Sequence, residues 1–518
     1  MLRGRDHAEE LSMDPISFTL NGRPHRVEGL SPTTTLLRYL REHAQLMGTK
    51  EGCAEGDCGA CSVVVLDEEG RALRAVNSCI LLLPSLNGKQ LFTVEGIGDS
   101  AAPHPVQQAM VECLGSQCGY CTPGFVMSLF EACYRDDLDE PWKLDDQLAG
   151  NLCRCTGYRP IREAAERIAG RRPEDRFTAA LVESRPASAA AEAGAAAGAD
   201  LVYEGEQRRF YAPTTLDALW AILASEPEAR LLAGGTDLGL EITRRFEHPS
   251  CLVSLGELRA LRGIQEEGEG WLLGSMTRLA ALESWAREAA PALERTLRFF
   301  GARQIKNSGT IGGNLCTASP IGDLPPTLIA LGAEAVIAGE RGRRRAPLED
   351  FFTGYRETLL AKGEILAGVW LPKRDQRWRS RSFKLSKRQE LDISTVSAGM
   401  SVAVEEGVIV EARLAFGGMA AVPARAREAE AALQGQPFEE ASFLRAAEAL
   451  RGDFQPIDDH RGSAWYRQRS AENLIIGLWL ELSEESPARL EYRPTGTVQL
   501  KYRAPERSAA AEERGARG

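Results

Sequence analysis

Gly52-Cys-Ala-Glu-Gly-Asp-Cys-Gly-Ala-Cys61 decides the fold, because together with Cys79 it sets four thiols in the order C-x4-C-x2-C-x17-C. That is the plant-type spacing for a [2Fe–2S] cluster. Three thiolates must come from one tight loop wrapped around the cluster, and a fourth from a neighbouring segment. Gly52, Gly56 and Gly59 let the backbone bend and bring N–H groups toward the sulfides, which stabilises the more negative reduced state. Zinc held by four cysteines is the competing reading, but such sites usually present paired C-x2-4-C knuckles. The candidate ligands here are Cys53, Cys58, Cys61 and Cys79.

Downstream lies a second quartet, Cys118-x2-Cys121-x31-Cys153-x1-Cys155. Taken alone it is ambiguous, since C-x2-C and C-x-C could hold zinc as well as iron. The strings Gln117-Cys-Gly-Tyr-Cys-Thr-Pro-Gly124 and Gly150-Asn-Leu-Cys-Arg-Cys-Thr-Gly-Tyr-Arg-Pro-Ile161 each put a pair beside a turn that opens a helix. Free N–H groups and the helix dipole favour a negatively charged thiolate cluster there. Of the 12 cysteines, only Cys251 and Cys316 fall outside residues 53–155. Nothing suggests the secreted setting in which a disulfide framework is useful, so the concentration points to metal. Cys113 and Cys133 are expected as buried small hydrophobes, and Cys316 as packing.

The chain has 518 residues, room for roughly three or four domains. An apolar fraction of 43% with 26% charged residues is globular. The balance of 62 basic against 73 acidic residues, −11, argues against nucleic acid or an anionic membrane as main partner. No apolar run approaches the ~18 residues of a membrane span; Cys79 to Leu86 is the densest and too short. Met1 to Glu10 lacks the apolar core of a secretion signal, and Met13 could equally be the start. These features predict a cytoplasmic, multidomain protein.

Ile16 to Val27 reads as a β-hairpin about Asn21-Gly22. Thr33 to Leu46 reads as an amphipathic helix, and Ser62 to Asp67 as a strand followed by a polar turn to Gly70. From Pro105 the pattern is helical, with Val106–Leu114, Pro123–Tyr134 and Pro160–Ile168 the clearest segments of a small four-helix unit. The expected boundaries are 14–97 and 98–180 for two iron–sulfur domains, 181–203 for a linker containing the Ala-rich stretch 186–200, 204–378 and 379–503 for two further α/β units, and 504–518 for a tail.

Two glycine-rich loops mark the third unit: Leu231-Leu-Ala-Gly-Gly-Thr-Asp-Leu238, and Gly309-Thr-Ile-Gly-Gly-Asn-Leu-Cys-Thr-Ala-Ser-Pro-Ile-Gly-Asp323. Adjacent glycines allow close backbone approach, and their amides can cradle a pyrophosphate without a basic side chain. A glycine pair alone usually marks only a turn. Neither loop fits G-x-G-x-x-G, and no Walker sequence is present.

At these residues the chain resembles the molybdenum hydroxylases, the xanthine dehydrogenase and aldehyde oxidase family, over about residues 16–500 without the linker. The resemblance implies an α+β multidomain fold. Its parts would be a β-grasp plant-type ferredoxin domain, a four-helix [2Fe–2S] domain, a vanillyl-alcohol-oxidase-like FAD-binding domain and a C-terminal α/β flavoprotein subdomain. It implies two [2Fe–2S] clusters on the eight cysteines. It also implies FAD, with its pyrophosphate on Leu231, Leu232, Ala233, Gly234, Gly235, Thr236, Asp237 and Leu238. Phe300, Thr310, Ile311, Gly312, Gly313, Asn314 and Asp323 would contact the rest, with Ile393 a weaker candidate. Gln117 occupies the position that hydrogen-bonds molybdopterin on a partner.

No molybdenum domain is expected after residue 500, so the resemblance implies a molybdenum-binding large subunit as partner, in a heterotetramer. Electrons would run from its molybdenum through both clusters to FAD and on to NAD+, and no general base for purine oxidation is expected on this chain. The fused order of domains favours the xanthine dehydrogenase arrangement and purine oxidation. Another hydroxylase of aldehydes or N-heterocycles would share these features, and a zinc-binding scaffold is the reading from a different class.

Overall fold

The computed structural model describes residues 13–66, 72–182 and 200–483. The polar turn at 67–70, most of the expected linker and the expected tail lie outside the described residues. The hairpin forms as read: Ile16–Leu20 pairs antiparallel with Arg23–Val27. Asn21 and Gly22 have φ of 52° and 81°, the left-handed pair that a tight two-residue hairpin turn needs. Together with Gln90–Phe92, Ser62–Leu66 and Leu73–Asn77 it makes a five-stranded sheet in which Ile16–Leu20 runs parallel to Gln90–Phe92.

The expected helix Thr33–Leu46 is corrected. Only Leu36–Arg38 is α-helical, and the chain continues as a π-turn over Tyr39–His43. The Thr35 hydroxyl caps the Arg38 amide, and the amides of Leu36 and Leu37 donate to Leu81 and Ser78. The helix start is therefore pinned to the segment carrying Cys79, and Gln45, with φ of 57°, breaks the spiral beyond it.

Four helices follow, Pro105–Glu112, Thr122–Tyr134, Pro141–Ala149 and Arg159–Ile168, each with proline at its first turn. Thr122–Tyr134 is buried along almost its whole length, as the central member of such a unit must be. The segment Arg176–Val182 is also helical. The strand Leu201–Gly205 begins inside the stretch assigned to the linker. It belongs to the next domain but packs on the first: the Tyr203 hydroxyl donates to the Leu30 carbonyl at 2.6 Å. Ile16, Phe18 and Leu20 share one core with Tyr203, Phe210 and Leu252.

The third unit holds a four-stranded sheet (Leu201–Gly205, Arg208–Ala212, Cys251–Ser254, Arg230–Leu232) and an antiparallel five-stranded sheet whose centre is Ile365–Pro372. The last unit opens with strands Trp378–Leu385, Val396–Glu405 and Val408–Gly417, then Ala424–Arg425 and three helices ending at Leu482. Among the described residues no helix is long and apolar enough to cross a membrane.

Candidate redox site

The loop of the first quartet turns on positive φ at Ala54, Gly56 and Gly59. This points three amides of the loop inward, so that Cys53 Sγ accepts from the N–H groups of Glu55 (3.4 Å), Asp57 (3.3 Å) and Cys58 (3.3 Å). Such donors stabilise negative charge on sulfur. Cys53 faces Cys58 and Cys79, and their hydrogen bonds hold its thiol far below the ordinary range. Cys61 faces Cys79, which holds it low in turn, while Asn77 Nδ2 lies 3.8 Å from its sulfur. Cys58 and Cys79, as donors in these pairs and then by burial, are pushed up.

In the second quartet Cys118 faces Cys155, and Cys121 faces Cys153. The Tyr120 amide and then Cys155 lower the Cys118 thiol. Burial, then Cys153, raises Cys121 to about 12. Cys153 lies 3.1 Å from the Thr156 hydroxyl and its amide donates to the Tyr158 hydroxyl at 3.0 Å. Among the described residues no three His, Cys, Asp or Glu side chains close on one point as around a single ion. The second quartet meets in two pairs and the first as a connected set of four, and four thiols per site is the number a two-iron cluster uses.

The two loops touch. The Leu152 amide donates to the Cys58 carbonyl at 3.0 Å, and Asn151 Nδ2 donates to the Gly59 carbonyl at 3.1 Å. A Cβ on Gly59 would stand 2.2 Å from the Gly150 carbonyl oxygen, so only glycine permits this approach. One hydrogen bond therefore joins Cys58 to the residue preceding Cys153.

The glycine loops of the third unit also meet each other. A Cβ on Gly234 would lie 2.1 Å from the Ser308 carbonyl oxygen. Strand Arg230–Leu232 ends in the turn Ala233–Asp237, and helix Leu238–Arg244 follows. Among the described residues no partner accepts from the amides of Ala233, Gly234, Gly235, Thr236, Asp237 or Leu238. A run of free N–H groups around a left-handed glycine (Gly235, φ 74°) is a cradle for an anionic group. In the second loop Thr310 caps Ile311–Cys316 by accepting from the Gly313 amide at 3.0 Å. The amides of Ile311 and Gly312 are already committed to Thr277 and Ser275. Unpaired here are two buried oxygens, Asn314 Oδ1 in this loop and Oγ of Ser275, whose carbonyl accepts from the Gly312 amide. Free amides in one loop and orphaned oxygens in and beside the other fit a large polar cofactor carrying a pyrophosphate, as FAD does.

The remaining expected contacts are spread more widely. Asp323 is buried and fully engaged, accepting from Lys384 Nζ at 2.8 Å and from the Ser394 hydroxyl. Phe300 packs at the edge of the main core. Ile393 is half exposed, one residue from Ser394. Gln117 lies on the exposed face beside Cys118 and Cys155. Cys113 and Cys133 are buried as expected, whereas Cys316 is exposed at its helix end, contrary to the packing role expected for it.

The first glycine loop and the first quartet are neighbours. A Cβ on Gly239 would meet Ile80 at 2.8 Å, Ile80 being next to Cys79, and Thr243 Oγ1 donates to the Ala54 carbonyl at 2.7 Å. Sequence reading missed the element that completes this junction, the helix Arg303–Ser308, which runs straight into Gly309. Arg303 pairs with Glu131 at 3.0 Å, Lys306 with Asp146 and Glu283 at 2.8 and 2.9 Å, and Asn307 with Glu131 and the Ala75 carbonyl. Ile305 packs against the core around Cys61, Cys79 and Ile80. Its one signal in the sequence is its position immediately before the second glycine loop.

Four known families match successive parts of the chain. Residues 18–83 match a 2Fe-2S iron-sulfur cluster binding domain and 93–166 a [2Fe-2S] binding domain. Residues 188–374 match an FAD binding domain in molybdopterin dehydrogenase, and 381–482 a CO dehydrogenase flavoprotein C-terminal domain. Xanthine dehydrogenase of Emericella nidulans is 32% identical over 93% of this chain and 39% of its own length. Xanthine dehydrogenase/oxidase of Rattus norvegicus is 34% identical over 79% of this chain and 34% of its own. The chain thus spans well under half of these relatives. A chain of carbon monoxide dehydrogenase from Hydrogenophaga pseudoflava, in a form lacking the Mo-pyranopterin moiety of its molybdenum cofactor, is 31% identical. It superposes with a TM-score of 0.50 over 52% of this chain and 94% of its own.

Proposed function

Because this chain belongs to the molybdenum hydroxylase family, as its iron–sulfur and FAD-binding portion, we propose that it is the electron relay of a xanthine dehydrogenase. In this reading it passes electrons from a partner's molybdenum centre to NAD+ during purine oxidation. The observation that carries the relay is the unbroken contact series: second cysteine loop, Leu152 to Cys58, first cysteine loop, Ile80 to Gly239, flavin loop. Cys118, Cys121, Cys153 and Cys155 would hold the cluster nearer the partner, and Cys53, Cys58, Cys61 and Cys79 the one nearer the flavin. When bound, [2Fe–2S] clusters exchange single electrons, and FAD couples them to a two-electron acceptor.

The chain's own residues position and tune. Inward amides at Cys53 favour the reduced state, glycines permit close approach of the loops, and the free amides of 233–238 hold the pyrophosphate. Apolar side chains near the second quartet in sequence are exposed, Val111 at 74% and Leu114 at 77% together with Tyr120, Leu152 and Tyr158, and so are Cys118, Cys155 and Gln117. Such exposed apolar side chains suit contact with a large molybdenum-binding subunit, with Gln117 reaching its pterin, in a cytoplasmic heterotetramer. Xanthine as substrate is favoured by the similarity to xanthine dehydrogenases over most of this chain. The resemblance to a carbon monoxide dehydrogenase chain keeps a second reading, the same relay serving a different substrate.

The pure chain should carry about four irons and one FAD. It should oxidise NADH with an artificial acceptor and leave xanthine untouched until its partner is added. Zinc in place of iron defeats the relay. A complex inactive on xanthine but active on an aldehyde or another heterocycle defeats only the substrate.

A further inference from the structure

We propose that Gln304, on the flavin side of the junction, is a positioning residue that fixes the register between the two cysteine loops. This inference rests on the two-cluster reading above. Gln304 has no exposed surface, and its Nε2 lies 2.9 Å from Asn151 Oδ1, 2.9 Å from Ser128 Oγ and 3.3 Å from Ser62 Oγ. Ser62 directly follows Cys61. Asn151 stands two residues before Cys153. Ser128 lies on the helix Thr122–Tyr134, whose N-cap is Cys121. One amide nitrogen therefore touches three segments that bear cysteines of both quartets.

The orientation of this amide follows from a carbonyl. Gly59 O can only accept, so Asn151 must turn its Nδ2 toward it. Asn151 Oδ1 then faces inward, where it accepts from the Ser128 hydroxyl at 2.6 Å and requires a donor from Gln304. A flipped Gln304 would oppose oxygen to oxygen. In the orientation found, Gln304 Oε1 is buried without a partner. An orphaned buried carbonyl costs stability, so packing alone would favour an apolar side chain of the same length. What glutamine adds is the donor that orients Asn151, and Asn151 sits beside the Leu152 amide that bridges to Cys58. The fit is close, since a Cβ on Gly150 would stand 2.0 Å from Gln304 Oε1.

The test compares the fully reduced, full-length holo-chain with Gln304→Met, Ser128→Ala and, as a control, Arg295→Ala, which breaks a remote ion pair with Glu481. Low-temperature EPR reads the magnetic splitting between the two reduced clusters, which depends on their distance and orientation. Gln304→Met is expected to keep iron and FAD but to shift and broaden the splitting. Ser128→Ala should do the same to a smaller extent, and Arg295→Ala should leave it unchanged. If Gln304→Met loses iron, the Ser128→Ala spectrum decides: an altered splitting supports the inference and an unaltered one overturns it. Unchanged splitting in both variants, or no splitting in a wild type that holds both clusters, overturns it too. A wild type with no iron–sulfur signal defeats the relay reading itself.

Discussion

Replacing Lys306 with methionine removes an ammonium that has no exposed surface and leaves two carboxylates around the space. Lys306 Nζ donates to Asp146 Oδ1 at 2.8 Å, to Glu283 at 2.9 and 3.1 Å and to the Leu297 carbonyl at 3.4 Å. The side chains of Asp146 and Glu283 are only 6% and 9% exposed, so water cannot take over these bonds. Removing one partner from a buried ion pair costs ~3–5 kcal/mol, and methionine, of similar length, adds little cavity cost. With an unfolding slope of ~3 kcal/mol per molar urea, the midpoint should fall by about 1 to 2 M. Flavin fluorescence and cluster absorbance would follow the transition.

The pH dependence has a definite sign. Burial raises the Glu283 carboxyl and Lys306 opposes it, so loss of Lys306 raises it further. A carboxyl whose folded pKa exceeds its unfolded value gives stability that is present at low pH and lost as pH rises through the folded value. Lys306→Met should therefore recover stability from pH 8 toward pH 6, and adding Glu283→Gln should restore part of the loss at pH 8. A midpoint change below about 0.3 M, under ~1 kcal/mol by the same slope, with no pH trend, would refute the reasoning.

Cys155→Ser should lower the iron content from about four to about two per chain and remove one EPR signal, leaving flavin in place. Gly234→Ala should empty the FAD site while iron is retained, because its Cβ would meet the Ser308 carbonyl at 2.1 Å; FAD content after gel filtration checks it. His104 accepts from the Val106 amide through Nδ1, so its Nε2–H faces Tyr134 Oη. Burial holds its pKa below the ordinary value against the pull of Asp175, with Arg176 lowering it further. Charging must precede protonation-linked unfolding, so stability should decline as pH falls below about 6.5. His104→Gln should flatten that decline in urea midpoints measured between pH 7.5 and pH 5.5.

The cysteine loops were legible because much of their chemistry is local: Cys53, Cys58 and Cys61 share one glycine-rich loop, and Cys118 with Cys121 and Cys153 with Cys155 are close pairs. The two glycine-rich loops were legible as loops for the same reason, although that they face each other across Gly234 and Ser308 was not. Arg303-Gln-Ile-Lys-Asn-Ser308 carries only one large apolar side chain and no motif. It is buried because Glu131, Asp146 and Glu283, far away in sequence, neutralise it, and no local pattern carries that. Leucine spacing over 33–46 predicted one helix because periodicity reports which face is buried. It does not report that the amides of Leu36 and Leu37 are held by Ser78 and Leu81. The strand at Leu201 was given to the linker because its core partners, Ile16, Phe18 and Leu20, belong to another domain.

An anaerobic reductive titration of the pure chain, followed together by EPR and visible absorbance, tests the central claim most directly. Uptake of roughly four electrons per chain, with two distinct [2Fe–2S] signals and bleaching of one flavin, is the predicted result. A colourless protein that takes up no electrons and carries zinc on its cysteines would contradict it.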